Sequence, residues 1–211
     1  MEQISNSEQA WTISDYNIET SEIALSTTID TNWSALDDKI NATGFTLQIT
    51  LSDWNAVRGP LFYLSTSADT PSGNVTNDYQ TSLVTFGYTE ANNLPGWKGA
   101  TLFNSKDGSA NTGNVTYSTI DATNLTSHSD LSNGAIPGEM AFFITGEGGS
   151  ITLYEVGKNS ELVEICTTTC VTTGIAERIV FSQWANNKTN TNTAKMNLSV
   201  YGSVLTEQQM T

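Results

Sequence analysis

Phe45-Thr46-Leu47-Gln48-Ile49-Thr50-Leu51 alternates apolar and polar residues without a break. Successive side chains on a strand point to opposite faces, so Phe45, Leu47, Ile49 and Leu51 share one face, and Thr46, Gln48 and Thr50 share the other. Such a segment is a strand with one buried face. The pattern returns at the C-terminus. There Met196, Leu198, Val200, Gly202 and Val204 are expected inward, with Asn197, Ser199, Tyr201 and Ser203 opposite. A chain built from such strands is a sandwich or a barrel.

Working outward, further strands are expected at residues 10–13, 23–28, 60–65, 83–88, 100–103, 140–145, 151–156, 161–165 and 178–183, with the last running over 195–204. Turn residues separate nearly all of them. Glu147-Gly148-Gly149-Ser150 and Gly157-Lys158-Asn159-Ser160 read as hairpin connections. The tail from Leu205 to Met210 reads as one helical turn, with Thr206 as its cap and Gln209 completing a capping box. Residues 106–138 show no clear strand and are rich in Asn, Thr, Ser and Gly. No linker or internal repeat divides the chain, so residues 1–211 are expected to form one all-β domain of two antiparallel sheets.

The composition supports this. Only 14 % of the 211 residues are charged, and the polar remainder is Thr, Ser, Asn and Gly. Abundant β-branched Thr favours strands. Asp and Glu outnumber Lys and Arg by 22 to 8, a formal charge of −14. That charge argues against nucleic acid, which needs a basic stripe, and against an anionic membrane surface. No apolar run is long enough for a transmembrane helix. Residues 1–10 carry no basic-then-apolar leader, and the expectation is a secreted or cell-surface chain whose native leader has been removed.

The C-terminal third has a recognisable order of parts. Met140-Ala-Phe-Phe-Ile-Thr145 precedes Ser150-Ile-Thr-Leu-Tyr-Glu-Val-Gly157, then Glu161-Leu-Val-Glu-Ile165, then Arg178-Ile-Val-Phe-Ser182. The chain closes on a strand bearing Tyr201, followed by Leu205, Thr206 and Glu207. Together with the early strand from Gly44 to Trp54, this resembles the concanavalin A-like, laminin G-like jelly roll of secreted bacterial proteins. The resemblance implies a jelly-roll sandwich. It implies little about function, because that scaffold carries lectins, glycosidases and adhesion modules. Val156-Gly157-Lys158 and Thr193-Ala194-Lys195 depart from the family pattern.

Glycoside hydrolysis needs two carboxylates flanking the scissile bond. On one strand that calls for acidic residues two apart, and none are so placed. Glu161 and Glu164 are expected on opposite faces, Asp37 and Asp38 are adjacent, and Glu147 and Glu155 flank a turn and its strand. His128 is the sole histidine. It stands in the polar run Thr126-Ser-His-Ser-Asp130, where solvation is expected rather than service as a catalytic base. The chain is therefore read as leaning away from catalysis, with a glycosidase the weakest alternative.

Carbohydrate binding needs an aromatic face for a sugar ring, and amides to orient its hydroxyls. Trp11 and Trp54 stand at or beside strands and are assigned to the core. Trp97, with Asn92 and Asn93, lies in the loop Asn92-Asn-Leu-Pro-Gly-Trp-Lys98. Trp184, with Asn186 and Asn187, lies where a strand gives way to an amide-rich loop. These six residues are the candidate ligand site. The expected activity is non-catalytic, lectin-like glycan binding at a cell surface. The alternative is an adhesion module that meets a cell-surface protein without a sugar site.

Calcium is the cofactor to weigh. Asp107-Gly-Ser-Ala-Asn111 and Asp130-Leu-Ser-Asn133 offer oxygen ligands at suggestive spacing, without a full calcium-loop pattern. Solubility is the preferred explanation of the acidity. Zinc is excluded on ligand number, since Cys166, Cys170 and His128 do not complete a site. A Cys166–Cys170 disulfide is expected in an oxidising compartment, closing a loop too short to stabilise much through chain entropy. Seven Asn-x-Ser/Thr sequons, at Asn32, Asn41, Asn74, Asn114, Asn124, Asn187 and Asn197, follow from a composition rich in Asn and Thr.

Overall fold

The computed structural model of the chain describes residues 9–18, 26–28, 44–55, 59–65, 82–90, 98–103, 115–119, 122–128, 135–169, 178–181 and 193–211. They form twelve strands: β1 (Gln9–Ile18), β2 (Ser26–Thr28), β3 (Phe45–Asn55), β4 (Gly59–Ser65), β5 (Ser82–Glu90), β6 (Lys98–Leu102), β7 (Thr116–Tyr117), β8 (Ala135–Glu147), β9 (Ser150–Val156), β10 (Leu162–Thr169), β11 (Arg178–Phe181) and β12 (Thr193–Tyr201). Seven make one antiparallel sheet in the order β1-β12-β3-β8-β9-β10-β7. Five make the other, in the order β2-β11-β4-β5-β6. The C-terminal β12 lies between β1 and β3, and β11 lies between β2 and β4, which are the long crossovers of a Greek-key sandwich. The all-β sandwich expected from the alternation is the fold observed.

The core fills the space between the sheets. Phe45, Leu47, Ile49, Leu51, Leu198 and Val200 are all inward and buried, as their phase predicts. Leu61, Phe62, Leu64, Val84, Phe86 and Tyr88 answer them from the five-stranded sheet. Trp54 sits at the centre, edge-on to Tyr88 and to Phe142. It reaches the core through a break in phase. Opposite β12, Ser52 pairs with Lys195 and Asn55 with Thr193, so Asp53 and Trp54 together face the single residue Ala194, and Asp53, with φ at 53°, is the bulged residue. Without that residue an even-numbered Trp54 would face solvent. A second bulge, between Glu164 and Cys166 on β10, turns both Ile165 and Cys166 into the core.

Both expected hairpins are present. Glu147 pairs with Ser150, and Gly148 and Gly149 hold φ at +58° and +82°, the left-handed conformation a two-residue hairpin loop needs. The β9–β10 turn closes with Gly157 N–H donating to the Glu161 carbonyl at 2.8 Å.

Several boundaries differ from expectation. β10 continues to Thr169 instead of stopping at Ile165. The 106–138 region is not strand-free: β7 pairs with β10, Ala122–Asn124 forms a 3-10 turn, and β8 begins at Ala135. Glu161 lies in the turn before β10 and is not a strand residue. β12 ends at Tyr201, so Gly202 and Val204 are not its inward residues. Tyr201, expected on the solvent face, is buried with Phe143, Leu205 and Met210. The cause is the tail. Thr46 Oγ1 donates to the Ser203 carbonyl and accepts from Leu205 N–H, both at 2.9 Å, folding the chain back over the outer face of β3. The expected helical turn, α1 (Glu207–Met210), then forms with Thr206 as cap and Gln209 completing the capping box.

Candidate functional site

The six residues singled out for ligand binding, Trp97, Asn92, Asn93, Trp184, Asn186 and Asn187, lie outside the described residues. So do both candidate calcium loops and Cys170. The strands that flank the two tryptophan segments are described. β5 and β6 form a hairpin whose last pair is Glu90 with Lys98. Gly59, the start of β4, pairs with Tyr88 near the same end. β11 runs antiparallel to β4 with Phe181 opposite Phe62, so its C-terminal end points towards Gly59 as well. Glu90, Lys98, Gly59 and Phe181 thus approach one end of the five-stranded sheet. In that sheet β11 and β5 are separated by β4 alone, about 10 Å from one to the other.

At the corresponding end of the larger sheet, Asn55 pairs with Thr193 and Ala135. Only residues 56–58 separate Asn55 from Gly59, which places these ends of the two sheets side by side. Lys195 Nζ meets Asp53 Oδ2 there at 2.7 Å. The carboxylate holds the lysine above its ordinary value, but both side chains are more than half exposed, so the pair adds little to stability.

A second polar centre lies further along the larger sheet. Ile151, Leu153 and Glu155 share the inward phase of β9, and Glu155 is fully buried. Its Oε1 accepts from Thr126 N–H at 2.7 Å and from Ser127 N–H at 3.1 Å. Its Oε2 accepts from the Ser127 hydroxyl. Burial pushes the carboxyl above the ordinary carboxylate range, against these hydrogen bonds and the more distant Lys158.

The donors belong to residues 122–128, which form a strap across the end of the β9–β10 hairpin. Leu125 anchors the strap in the main core. Asn124 joins it to the turn by donating to Glu161, accepting Asn159 N–H at 3.1 Å on its side chain, and accepting Lys158 N–H at 2.9 Å on its carbonyl. Lys158 Nζ returns to the Thr123 carbonyl at 2.9 Å. Gly157 is required beneath: a Cβ there would stand 2.5 Å from Asn124 Nδ2. His128, expected to be solvated, is half-buried at the end of the strap.

Sequence reasoning passed over Glu155 as one of two carboxylates flanking a turn. The signal was its position in the Ile151, Leu153, Glu155 series, which puts an acid in the apolar register. Glu155 is committed to the strap, Glu161 to Asn124, and Glu164 to the Ser118 hydroxyl at 2.7 Å. Among the described residues no three His, Cys, Asp or Glu side chains gather as a metal site would require.

Cys166 is a free thiol, buried beside the sheet edge where β10 and β7 meet β6. Burial pushes its pKa up to about 12, opposed by hydrogen bonds with Leu102 and Thr101. Tyr117, hydrogen-bonded to Thr101, is held far above its ordinary value, again mainly by burial.

No protein-family model matches the chain, and no curated protein matches it. Among solved structures it is similar to Trypanosoma rangeli sialidase in complex with 2,3-difluorosialic acid, at 9 % identity and a TM-score of 0.48, over 96 % of this chain and 28 % of that one. It is also similar to domain 4 of AbnA, a GH43 extracellular arabinanase from Geobacillus stearothermophilus, in complex with arabinotriose (12 % identity, TM-score 0.42, 81 % of this chain and 66 % of that one). A third is the W1252A mutant of HCR D/C VPI 5995 (12 % identity, TM-score 0.42, 88 % of this chain and 38 % of that one). The chain thus spans little more than a quarter of the sialidase.

Proposed function

We propose that this chain is a non-catalytic, extracellular glycan-binding module of the concanavalin A-like, laminin G-like kind. Trp97 with Asn92 and Asn93, and Trp184 with Asn186 and Asn187, would supply the aromatic faces and amides. The observation that supports the reading is the strand register. Trp97 directly precedes Lys98 in sequence, and Trp184 follows Phe181 by three residues. The strand ends from which both segments depart approach the same end of one rigid sheet. Two aromatic segments leaving one scaffold edge are the arrangement in which binding loops are displayed. A stacked ring sheds water from an apolar face while neighbouring amides select the orientation of the hydroxyls. Glu155, Glu161 and Glu164 are each spent on a structural hydrogen bond, which leaves the non-catalytic reading as the economical one.

The test is a glycan array, followed by titration calorimetry of Trp97→Ala and Trp184→Ala against any glycan found. The substitution that removes the platform should weaken binding by roughly 1–3 kcal/mol, from the burial of a large side chain, while the fold survives. If neither changes the affinity, the aromatic platform is wrong, and an adhesion module that meets a protein partner takes its place.

A further inference from the structure

The strap over residues 122–128 is held by a carboxylate sealed from water, and this is an unusual fastening. Glu155 is one of the buried polar residues, and its side-chain partners are donors from the strap itself. The strands beside it face it with uncharged residues, Phe142 of β8 and Val163 of β10. From the β9–β10 turn, Lys158 is the cation that acts on it, and that ammonium is spent on the Thr123 carbonyl. Glu161 of the same turn is engaged by Asn124. The strap contributes one titratable group, the half-buried His128. An ionised carboxylate in such a place is costly unless a cation pairs with it directly.

We propose that Glu155 and the 122–128 strap form a pH-sensitive catch, closed most firmly while the carboxyl is neutral and loosened when it ionises. The direction follows from the two environments. Burial lifts the closed-state carboxyl above its ordinary 4.5, and an opened strap returns it to water and to that value. The closed strap therefore binds the proton more tightly than the open one. Its extra stability is complete below the ordinary value and is lost as pH rises through the raised one. The neutral carboxyl keeps the architecture: Oε1 still accepts both backbone N–H groups, and a protonated Oε2 donates to Ser127 Oγ, reversing one hydrogen bond. Ionisation adds a buried charge with no direct ion pair among the described residues. Opening lifts Leu125 from the core and exposes the inward end of β9.

Amide hydrogen exchange of the full chain from pH 5 to pH 8, with intrinsic rates divided out, measures the catch directly. Protection at Thr126 and Ser127 should fall as pH rises, by about tenfold per unit at most for a single proton. Amides in the middle of β3 serve as the reference and should not follow. Glu155→Gln, which keeps an acceptor for the N–H groups and cannot ionise, should make strap protection independent of pH. Ser127→Ala keeps both N–H bonds and removes a group that favours the ionised form, so the fall in protection should continue to a higher pH and run deeper than in the wild type. The proposal is overturned by wild-type protection that is flat or rises with pH. It is equally overturned by a parallel fall in Glu155→Gln, which would assign the effect to His128.

Discussion

The two faces of the seven-stranded sheet are covered by different means. The inner face packs against the second sheet, and every inward residue of β3 from Phe45 to Trp54 is buried. Among the described residues, the outer face is covered where the C-terminal tail doubles back. Thr46 is sealed under Ser203 and Leu205, while Thr50 and Ser52, further along the same strand, are partly open to solvent. One face is protected by many strands acting together, the other by a single strap of chain. Core stability should therefore be large and cooperative on the inside, and small and local on the outside.

The sharpest test of the inner face is chemical. A thiol whose pKa stands near 12 carries about a thousandfold less thiolate at pH 8 than an ordinary cysteine. Native Cys166 should react with a thiol reagent slower by about that factor, or slower still for want of access. In denaturant without reductant, two fast thiols are expected. Zero would restore the Cys166–Cys170 bridge and would mean that the inner face is stapled as well as packed.

Packing gives the next largest effect. Phe142 lies on the inner face against Trp54 and Phe86. Phe142→Ala should destabilise by about 3–5 kcal/mol, the range for a large aromatic removed from a site that cannot collapse. A loss below about 1 kcal/mol in a denaturant titration would mean that the sheets close over the gap, and the contrast between the faces would dissolve.

The outer face should give less. Leu205→Ala removes one anchor from a four-residue cluster whose edge can relax, so about 2 kcal/mol is expected, the low end for such a truncation. Thr206→Ala removes the α1 cap at a cost of about 1 kcal/mol. Hydrogen exchange should show both losses confined to the tail and the β3 end beneath it. Spread into β4 and β5 would show that the tail is part of the main cooperative unit.

This contrast also explains what could be read from the chain alone. The alternation of Phe45 to Leu51 carries the inner face in its own period, and the Thr206–Gln209 spacing carries the helix cap, because both are local. Tyr201 stands on the outer face, as its phase requires, but is buried there instead of solvated. Its burial depends on the chain reversal just after it, where Ser203 is held by Thr46, 157 residues away in sequence. Nothing in local periodicity records that. β7 has two residues, too few for any period, and is defined by its pairing with β10. The candidate site was legible as composition, a tryptophan beside amides in two segments. The common end of the strands around those segments was not, since it follows from β4 lying between β11 and β5. Glu155 was legible as an inward-phase acid, but not its partners, which come from a segment without strand pattern.

The smallest effects belong to the rim, where the two faces meet at the Asp53 bulge. Two features coincide there, an exposed ion pair with Lys195 and a left-handed backbone. They separate by substitution. Asp53→Asn removes the charge and keeps a residue that tolerates positive φ, so the melting temperature should not move. Asp53→Val removes the same charge and also puts a β-branched side chain at φ 53°, a strain of about 1–2 kcal/mol. The bulge can relieve that strain only by giving up its extra residue, which would turn Trp54 from the inner face to the outer one. Tryptophan fluorescence of Asp53→Val should therefore shift to the red if the bulge yields, and stay in place with a lowered melting temperature if it holds. Equal destabilisation by Asn and Val would assign the role of Asp53 to the ion pair. The phase break that brings Trp54 into the core would then rest on the packing of its ring alone.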